Sequence, residues 1–486
     1  MFLWRIGHEP LWLDETYTFA MVQHGLTEIV GLTAKDVHPP LYYLLLRLWT
    51  HLFGDSRVAL RVPSALAAMG LVAHGAVSVR RIWSVRTGFL YALLVATSPG
   101  IVSFSQEARM YTLAAFFVTG AVLHGLLAMS DGRRRDLVWF GFFSWAASLT
   151  HYFGLVAAGV NCLSLLIMAG LRQRNRARPL ALAALVAAVF YLPWLLPFTR
   201  QLATVSHGFW IPPTSMSLFR FGLVAPFAYK FEDLPYPWQA NIALGIVAAL
   251  LVATLVVKTW RGPAAAARAR LHLLAVYGLT LGFGVLFSKA VAPVFMPRYM
   301  LVCAGLFLLI AATCACAIPR LGNGVVMGAC LIGLGLPASH RIHTQIFGGP
   351  FAALAEQVAL AGERAPVLLH NDVQALFPSW YAVNTGRHVL VAAQGTNPQP
   401  PGQDVYPAGR LAATDDVTAL LSDISNVWIA DAFPSEYHVD RARILNLPGW
   451  SQKGGTVDLD LPLSWLKMRL SHFERTGEAS RRPGDD

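Results

Sequence analysis

The sequence predicts an all-α polytopic membrane protein with interfacial helices and a small C-terminal α/β domain. Three observations carry that prediction. Hydrophobic residues make up 55% of the 486 residues and charged residues only 13%, against roughly 25% charged in soluble domains. Apolar runs long enough to cross a bilayer, or nearly so, recur between residues 58 and 338. Beyond about residue 340 the pattern changes to short β-rich segments separated by polar turns.

In chain order, residues 1–57 form a first outer loop. Within it Leu41 to Phe53 is too short to span, and with Tyr42, Tyr43, Trp49 and His51 among leucines it reads as a helix lying at the interface. The transmembrane bundle, residues 58–338, holds about ten helices, over 58–80, 87–104, 109–129, 137–151, 152–171, 180–199, 239–257, 271–288, 299–318 and 321–338. The 200–238 loop is rich in Pro and aromatics (FWIPP, LPYPWQ) and predicts another interfacial helix around 215–230. In residues 340–473, APVLLHN, RHVLVAA and NVWIADA read as strands and FAALAEQVALA as a helix. NPQPPGQD is a loop, and the tail 474–486 has the composition of a disordered segment.

The net charge of +11 resides in short arginine-rich loops between apolar runs. Arg80, Arg81 and Arg86 form one; Arg133 to Arg135, Arg172 to Arg178, and Lys258 to Arg270 form the others. That distribution is the one positive-inside topology produces, so these loops are assigned to the cytoplasm and nucleic-acid binding is set aside. Every alternate loop then faces outward, including the first loop, the SFSQEAR turn, the His151 turn, the SKAVAPVFMPR loop and everything after about 340. An outside N-terminus with no preceding helix predicts that a first transmembrane helix is missing. MFLWRIGHEP lacks the apolar core of a cleavable signal. The five cysteines, Cys162, Cys303, Cys314, Cys316 and Cys330, all lie in apolar stretches, which argues against a disulfide framework.

Four outer-face clusters hold the residues that could do chemistry: Asp14-Glu15 with Tyr17; Lys35 with His38-Pro39-Pro40; Ser105 through Tyr111, with Gln106, Glu107 and Arg109; and Lys289 with Arg298-Tyr299. Adjacent Asp14 and Glu15 diverge on a helix or turn, so at most one faces a given reacting atom. Glu107 and Tyr111, four apart, are expected to share a helix face. Each group also has a purely structural reading. Arg109 and Arg298 read singly as interface anchors, Tyr299 as an aromatic-belt residue, and His151 as a satisfied interhelical histidine. Taken together they suit one reaction. An outer-face carboxylate can take a proton from an acceptor hydroxyl, and nearby cations can stabilise a departing phosphate. A phosphate carried on a membrane lipid explains a site at the bilayer edge. This describes sugar transfer from a polyprenyl-phosphate sugar. No metal-ligand spacing is present and no cofactor is called for; a divalent metal is left open.

LWLDETYTFA, HPPLYYLLLRLWTHLFGDSRVALRVPSALAA, SFSQEARMYTLAAFF and PRYM together resemble the integral-membrane glycosyltransferases of GT-C fold. The bacterial group similar to protein O-mannosyltransferases, the aminoarabinose lipid A transferase and the lipopolysaccharide-core galacturonosyltransferases is the nearest in motif. The resemblance runs over roughly residues 10–310. It implies an inverting enzyme of the bacterial inner membrane, its site and C-terminal domain facing outward. The donor would be a polyprenyl-phosphate sugar and the acceptor an envelope glycan, lipid or protein. Asp14 then matches the family's catalytic carboxylate and Glu15 its companion. His38 matches the position before the prolines, a lysine in some members, and Arg298-Tyr299 matches an outer-face pair assigned to phosphate binding. Arg109 and Lys289 join the phosphate set, Glu107 orients sugar or acceptor, and Tyr17, Gln106, Tyr111 and His151 are assigned to sugar or acceptor. The sequence departs from the aminoarabinose branch at Tyr111, where that branch has aspartate, so a second carboxylate role passes to Glu107 or is dispensed with. A flippase for lipid-linked sugars would want mid-bilayer charges and repeat symmetry, and neither is evident. A non-catalytic membrane scaffold is the third reading.

Overall fold

The computed structural model describes residues 1–206, 211, 213–228, 264–317 and 349–360 and short pieces of 329–344. In the C-terminal part it describes 367–370, 373–383, 390–394, 405–406, 411–414, 421–422, 424–433, 449–459 and 467–475. The predicted span 239–257, most of 321–338, the NPQPPGQD loop and the end of the tail lie outside the described residues. The chain divides into two compact units, Met1–Ile6 with Gly25–Thr344, and Gly7–His24 with Gln345–Asp486.

Helix α1 (Leu13–Met21) belongs to the second unit. The first unit opens with α2 (Leu26–Lys35), whose N-terminal Gly25 N–H donates to Glu28 Oε2 at 2.8 Å. Pro40, already in the right-handed helical region, then caps α3 (Leu41–Phe53), and the two prolines bar regular helix from running back through the dipeptide. The exposed side of α3 carries Leu45, Leu48, Leu52 and Phe53, which suits a helix lying at the membrane surface. Trp49 Nε1 donates to Ala59 O at 2.9 Å and ties α3 to α4 (Arg57–Ile82).

Six helices are long and apolar enough to cross a membrane among the described residues, seven if a bent pair counts as one span. They are α4, α7 (Tyr111–Ser130), α9 (Tyr152–Arg172), most of α10 (Arg174–Ser206), most of α12 (Ala264–Ala290) and α13 (Pro297–Cys316). The bent pair is α5 (Val85–Thr97) and α6 (Pro99–Ser105), which meet at 60°. A straight span over 87–104 was expected; Pro99 removes a backbone donor and Ser98 is extended, so the helix breaks there. Ser98 Oγ donates to Pro226 O at 2.6 Å, in α11 (Met216–Ala228), the predicted helix of the 200–238 loop. Helix α8 (Arg134–Thr150) is shorter, and the chain breaks at His151 as the sequence suggested.

Two contacts show how the bundle is held. Gly75 and Gly88 let α4 and α5 touch backbone to backbone: a Cβ on Gly75 would meet Gly88 O at 2.5 Å. Gly75→Ala is therefore expected to destabilise the bundle by about 1–3 kcal/mol, read as a lower unfolding temperature in detergent; an unchanged temperature would contradict this packing. At the ends of α4 and α7 remote from Arg57 and Tyr111, Arg81 pairs with Asp131 at 2.8 Å and Asp136 at 3.4 Å, and His124 Nδ1 lies 3.0 Å from Asp136. This lock leaves the fully buried Asp136 compensated.

In the second unit a seven-stranded sheet runs β3-β2-β1-β4-β7-β5, with β6 paired to β7. Strands β1 (Val367–His370), β2 (Leu390–Gln394), β3 (Leu411–Thr414) and β4 (Asn426–Phe433) are parallel, with Val367 opposite Leu390 and Val427. Strands β5 (Trp450–Gln452), β6 (Val457–Leu459) and β7 (Lys467–Arg475) are antiparallel additions. Val367, Leu369, Val427, Ile429, Trp450 and Phe473 form one core. Helices α14 (Phe351–Leu360) and α15 (Val373–Val383) complete the described α/β part. An aromatic cluster ties α1 into this unit: Tyr406 lies 6.4 Å from Tyr17 and 4.0 Å from Phe377, and Phe19 lies 4.9 Å from Tyr381.

Candidate active site

The first unit gathers the predicted cationic and aromatic groups from four separate segments. Helix α2 ends at Lys35, and Asp36 adopts an extended conformation that leads into Val37-His38-Pro39-Pro40. Asp36 Oδ2 lies 2.8 Å from His38 Nδ1. The second segment is the turn between α6 and α7. Gln106 N donates to Ser103 O at 3.0 Å and Arg109 N to Glu107 O at 2.8 Å, which coils the chain tightly. Ser64 Oγ donates to Arg109 O at 3.1 Å and Thr112 Oγ1 to Ser64 O at 3.0 Å, pinning the turn on α4. Glu107 and Arg109 are both buried.

Arg109 reaches back to the first segment. Its Nη2 lies 3.4 Å from His38 Nε2 and its Nη1 3.4 Å from the Tyr43 hydroxyl. A guanidinium only donates, so His38 Nε2 is the acceptor and Nδ1 carries the hydrogen toward Asp36. Asp36, His38 and Arg109 thus form a chain of carboxylate, imidazole and guanidinium.

The third and fourth segments meet edge to face. His151 caps α9, its Nδ1 accepting from Phe153 N at 3.1 Å, which leaves the ring hydrogen on Nε2. Its ring lies 5.1 Å from Tyr299 and 5.6 Å from Tyr111, and Tyr299 stacks against Tyr111 at 6.4 Å. The Arg298 guanidinium lies 5.9 Å from the Tyr299 ring centre. Burial holds the His151 pKa well below the usual histidine value, and the charges of Arg109 and Arg298 push it the same way. His151 therefore stays a neutral donor among cations.

Three of these groups, His38, His151 and Tyr299, line a single cavity. Its walls are apolar, from Val156, Phe198, Leu202, Val205, Phe283 and Phe287, and His38, His151 and Tyr299 line the polar part. Tyr152 and Gln201 also line it, but bond to each other, while Gln201 Nε2 donates to Thr33 O at 2.7 Å and Trp194 Nε1 to the Tyr152 hydroxyl at 3.1 Å. This arrangement can hold an anion on its polar groups and an apolar chain along its walls.

The structure thus brings together His38, Arg109, Tyr111, His151, Arg298 and Tyr299. Two sequence expectations change. Glu107 and Tyr111 do not share a helix face, because the tight turn delays the start of α7 to Tyr111. Arg109 is no surface anchor; it is 3% exposed. Gln106 Nε2 donates to Phe2 O at 3.2 Å and Trp4 O at 2.9 Å, and Arg61 Nη1 to Ile6 O at 2.9 Å, so both hold the N-terminal segment. Lys289 is exposed at the end of α12 and makes no ion pair among the described residues. Asp14, Glu15 and Tyr17 lie on α1, in the second unit; Glu15 is fully buried there and Asp14 is partly exposed. Sequence reasoning missed Asp36 and Tyr43. The Asp-x-His spacing was the signal for the first; Tyr43 is hidden within a leucine-rich helix.

Among the described residues no group of three or more His, Cys, Asp and Glu could hold a metal ion.

The bundle, the bent α5–α6 pair and the appended sheet define the class: a multi-pass membrane protein of GT-C fold. Among solved structures the chain is similar to ArnT from Cupriavidus metallidurans in the apo state, with 11% identity, a TM-score of 0.63 and coverage of 96% of this chain and 95% of that one. The same protein bound to undecaprenyl phosphate gives 13% identity and a TM-score of 0.61, with the same coverage. The oligosaccharyltransferase of Archaeoglobus fulgidus in complex with zinc and sulfate gives 12% identity and a TM-score of 0.50, over 77% of this chain and 58% of that one. In sequence, residues 37–196 match the family described as dolichyl-phosphate-mannose-protein mannosyltransferase, which is less than half of the chain. No curated protein matches the sequence.

Proposed function

We propose that this chain is a membrane glycosyltransferase that moves a sugar from a polyprenyl-phosphate donor to an envelope glycan, lipid or protein acceptor. We place the reaction on the outer side of the bacterial inner membrane, following the arginine-rich loops assigned to the cytoplasm. One observation carries the reading: an otherwise apolar cavity is lined by His38, His151 and Tyr299, with the Arg109 guanidinium 3.4 Å from His38 and that of Arg298 5.9 Å from the Tyr299 ring centre. A polyprenyl chain matches the walls and a phosphate matches the polar groups. The similarity to a fold solved with undecaprenyl phosphate supports the same ligand class.

In this reading Asp14 takes the proton of the acceptor hydroxyl, with Glu15 as its companion, an assignment resting on the LWLDETYTFA resemblance. The acceptor oxygen bonds to the anomeric carbon as the bond from that carbon to the phosphate oxygen breaks, with inversion. The electron pair leaves on the polyprenyl phosphate, which gains a negative charge. Arg109, Arg298 and His38 stabilise that charge, and Lys289 adds cationic charge at the end of α12. Neutral His151 and the hydroxyls of Tyr111 and Tyr299 suit hydrogen bonding to sugar or phosphate. Glu107 orients sugar or acceptor, and Tyr17 keeps the sugar or acceptor role that the resemblance implies. No step is routed through a metal.

The experiment is transfer of label from a radiolabelled polyprenyl-phosphate sugar in membranes with and without the chain. Label reaching an envelope acceptor without added nucleotide is the expected result. Absence of transfer would remove the reading, and label that only crosses to the other leaflet would replace it with a flippase.

A further inference from the structure

Asp36 lies outside the set of residues to which the sequence assigned chemistry, yet it makes a close polar contact within the cluster. Its carboxylate is 2.8 Å from His38 Nδ1, and both side chains are mostly buried, at 13% and 19% exposure. The opposite ring nitrogen, Nε2, faces Arg109 at 3.4 Å, and His38 lines the cavity. The remaining neighbours are the Tyr43 ring, 6.4 Å from the imidazole, and His151, which lines the same cavity. Asp36 is the one carboxylate the described contacts place on His38.

We propose that Asp36 is a positioning residue that makes His38 a phosphate ligand. The inference rests on the reading of the cavity as a polyprenyl-phosphate site and adds a residue to it. A neutral imidazole with Nδ1–H on Asp36 presents a lone pair at Nε2, which an anion avoids. Once Nε2 takes a proton from solvent, both ring nitrogens donate, Nδ1–H to Asp36 and Nε2–H to a phosphate oxygen. The Asp36 carboxylate accepts from Nδ1, pairs its charge with that ring and fixes its plane. It sits on the side of the ring away from Nε2, so the ring shields the phosphate from it. Arg109, which holds Nε2 in the free protein, is then released to the phosphate.

The test is a double-mutant cycle read as binding of undecaprenyl phosphate to the full chain in detergent. Asp36→Asn keeps the shape and removes the charge, and is expected to weaken binding about tenfold, the scale of a hydrogen bond to a charged group. His38→Lys supplies a fixed ammonium that needs no carboxylate partner. In that background Asp36→Asn is expected to change binding by less than about threefold. Equal losses in both backgrounds would mean Asp36 serves the fold alone, and the inference would be abandoned. No loss in the wild-type background would abandon it as well. If the wild-type chain binds no undecaprenyl phosphate, the reading of the cavity falls first and this inference falls with it; the first two outcomes leave that reading standing.

Discussion

Asp14→Asn is expected to lower kcat for sugar transfer by roughly 10²–10⁴-fold, the range for loss of a general base, with the donor KM changed by less than about twofold. The amide is the same size as the carboxyl but cannot accept the acceptor's proton at neutral pH. The substitution leaves α1 intact: Thr18 Oγ1 bonds to the backbone carbonyl of residue 14 at 3.0 Å, and this is unaffected by the side chain. Loss of a negative charge in the first turn of α1 costs stability of about 0.3–1 kcal/mol, too little to unfold the protein. Steady-state transfer from a purified polyprenyl-phosphate sugar separates the two parameters. A variant with wild-type kcat would remove Asp14 from the base role, and a raised donor KM with unchanged kcat would move it to donor binding.

Arg109→Ala is expected to reduce kcat/KM for the donor by roughly 10²–10³-fold, as loss of one donor to a developing oxyanion does. The guanidinium is buried, pinned through its backbone to Ser64, and shared between His38 and Tyr43. Its removal takes a fixed positive charge from beside the polar groups of the cavity and leaves His38 Nε2 without its donor. Arg109→Lys is expected to recover only part of the loss, because a point charge cannot serve two partners in a fixed fork. Transfer kinetics with both variants check this. A lysine variant as active as wild type would show that charge alone matters there; an alanine variant as active would remove Arg109 from the phosphate set.

Much of the fold was legible in the sequence because hydropathy is set by local composition. The runs 109–129, 152–171 and 271–288 each correspond to a long helix. APVLLHN, RHVLVAA and NVWIADA each correspond to a strand with a parallel neighbour, and in the first of them burial on both faces demands continuous apolar residues. What was not legible depends on distant partners. Lys467–Arg475 reads as a charged segment, yet it pairs with Asn426–Phe433 along its length and becomes a strand. The grouping of residues 7–24 with residues after 345 likewise needs contacts that no local pattern encodes, such as Tyr17 with Tyr406.

The site divides in the same way. The residue types announced themselves by being ionisable or aromatic within otherwise apolar sequence, as His38, Arg109, Arg298 and Tyr299 did. Their roles within the cluster did not. Arg109 looked like an anchor because a sequence does not reveal that a tight turn folds its guanidinium inward to His38. Gln106 looked available, but its amide is occupied by the carbonyls of Phe2 and Trp4.

The central claim is that the apolar cavity and the cationic groups beside it hold a polyprenyl phosphate. Photolabelling tests it most directly, with a polyprenyl phosphate bearing a diazirine in its first isoprene units and peptide mapping of the labelled chain. The account predicts label on the cavity walls, in the peptides holding Phe198, Leu202, Phe283 and Phe287, lost on addition of excess undecaprenyl phosphate and reduced in Arg109→Ala. Label confined to other helices, or indifferent to undecaprenyl phosphate, would contradict it.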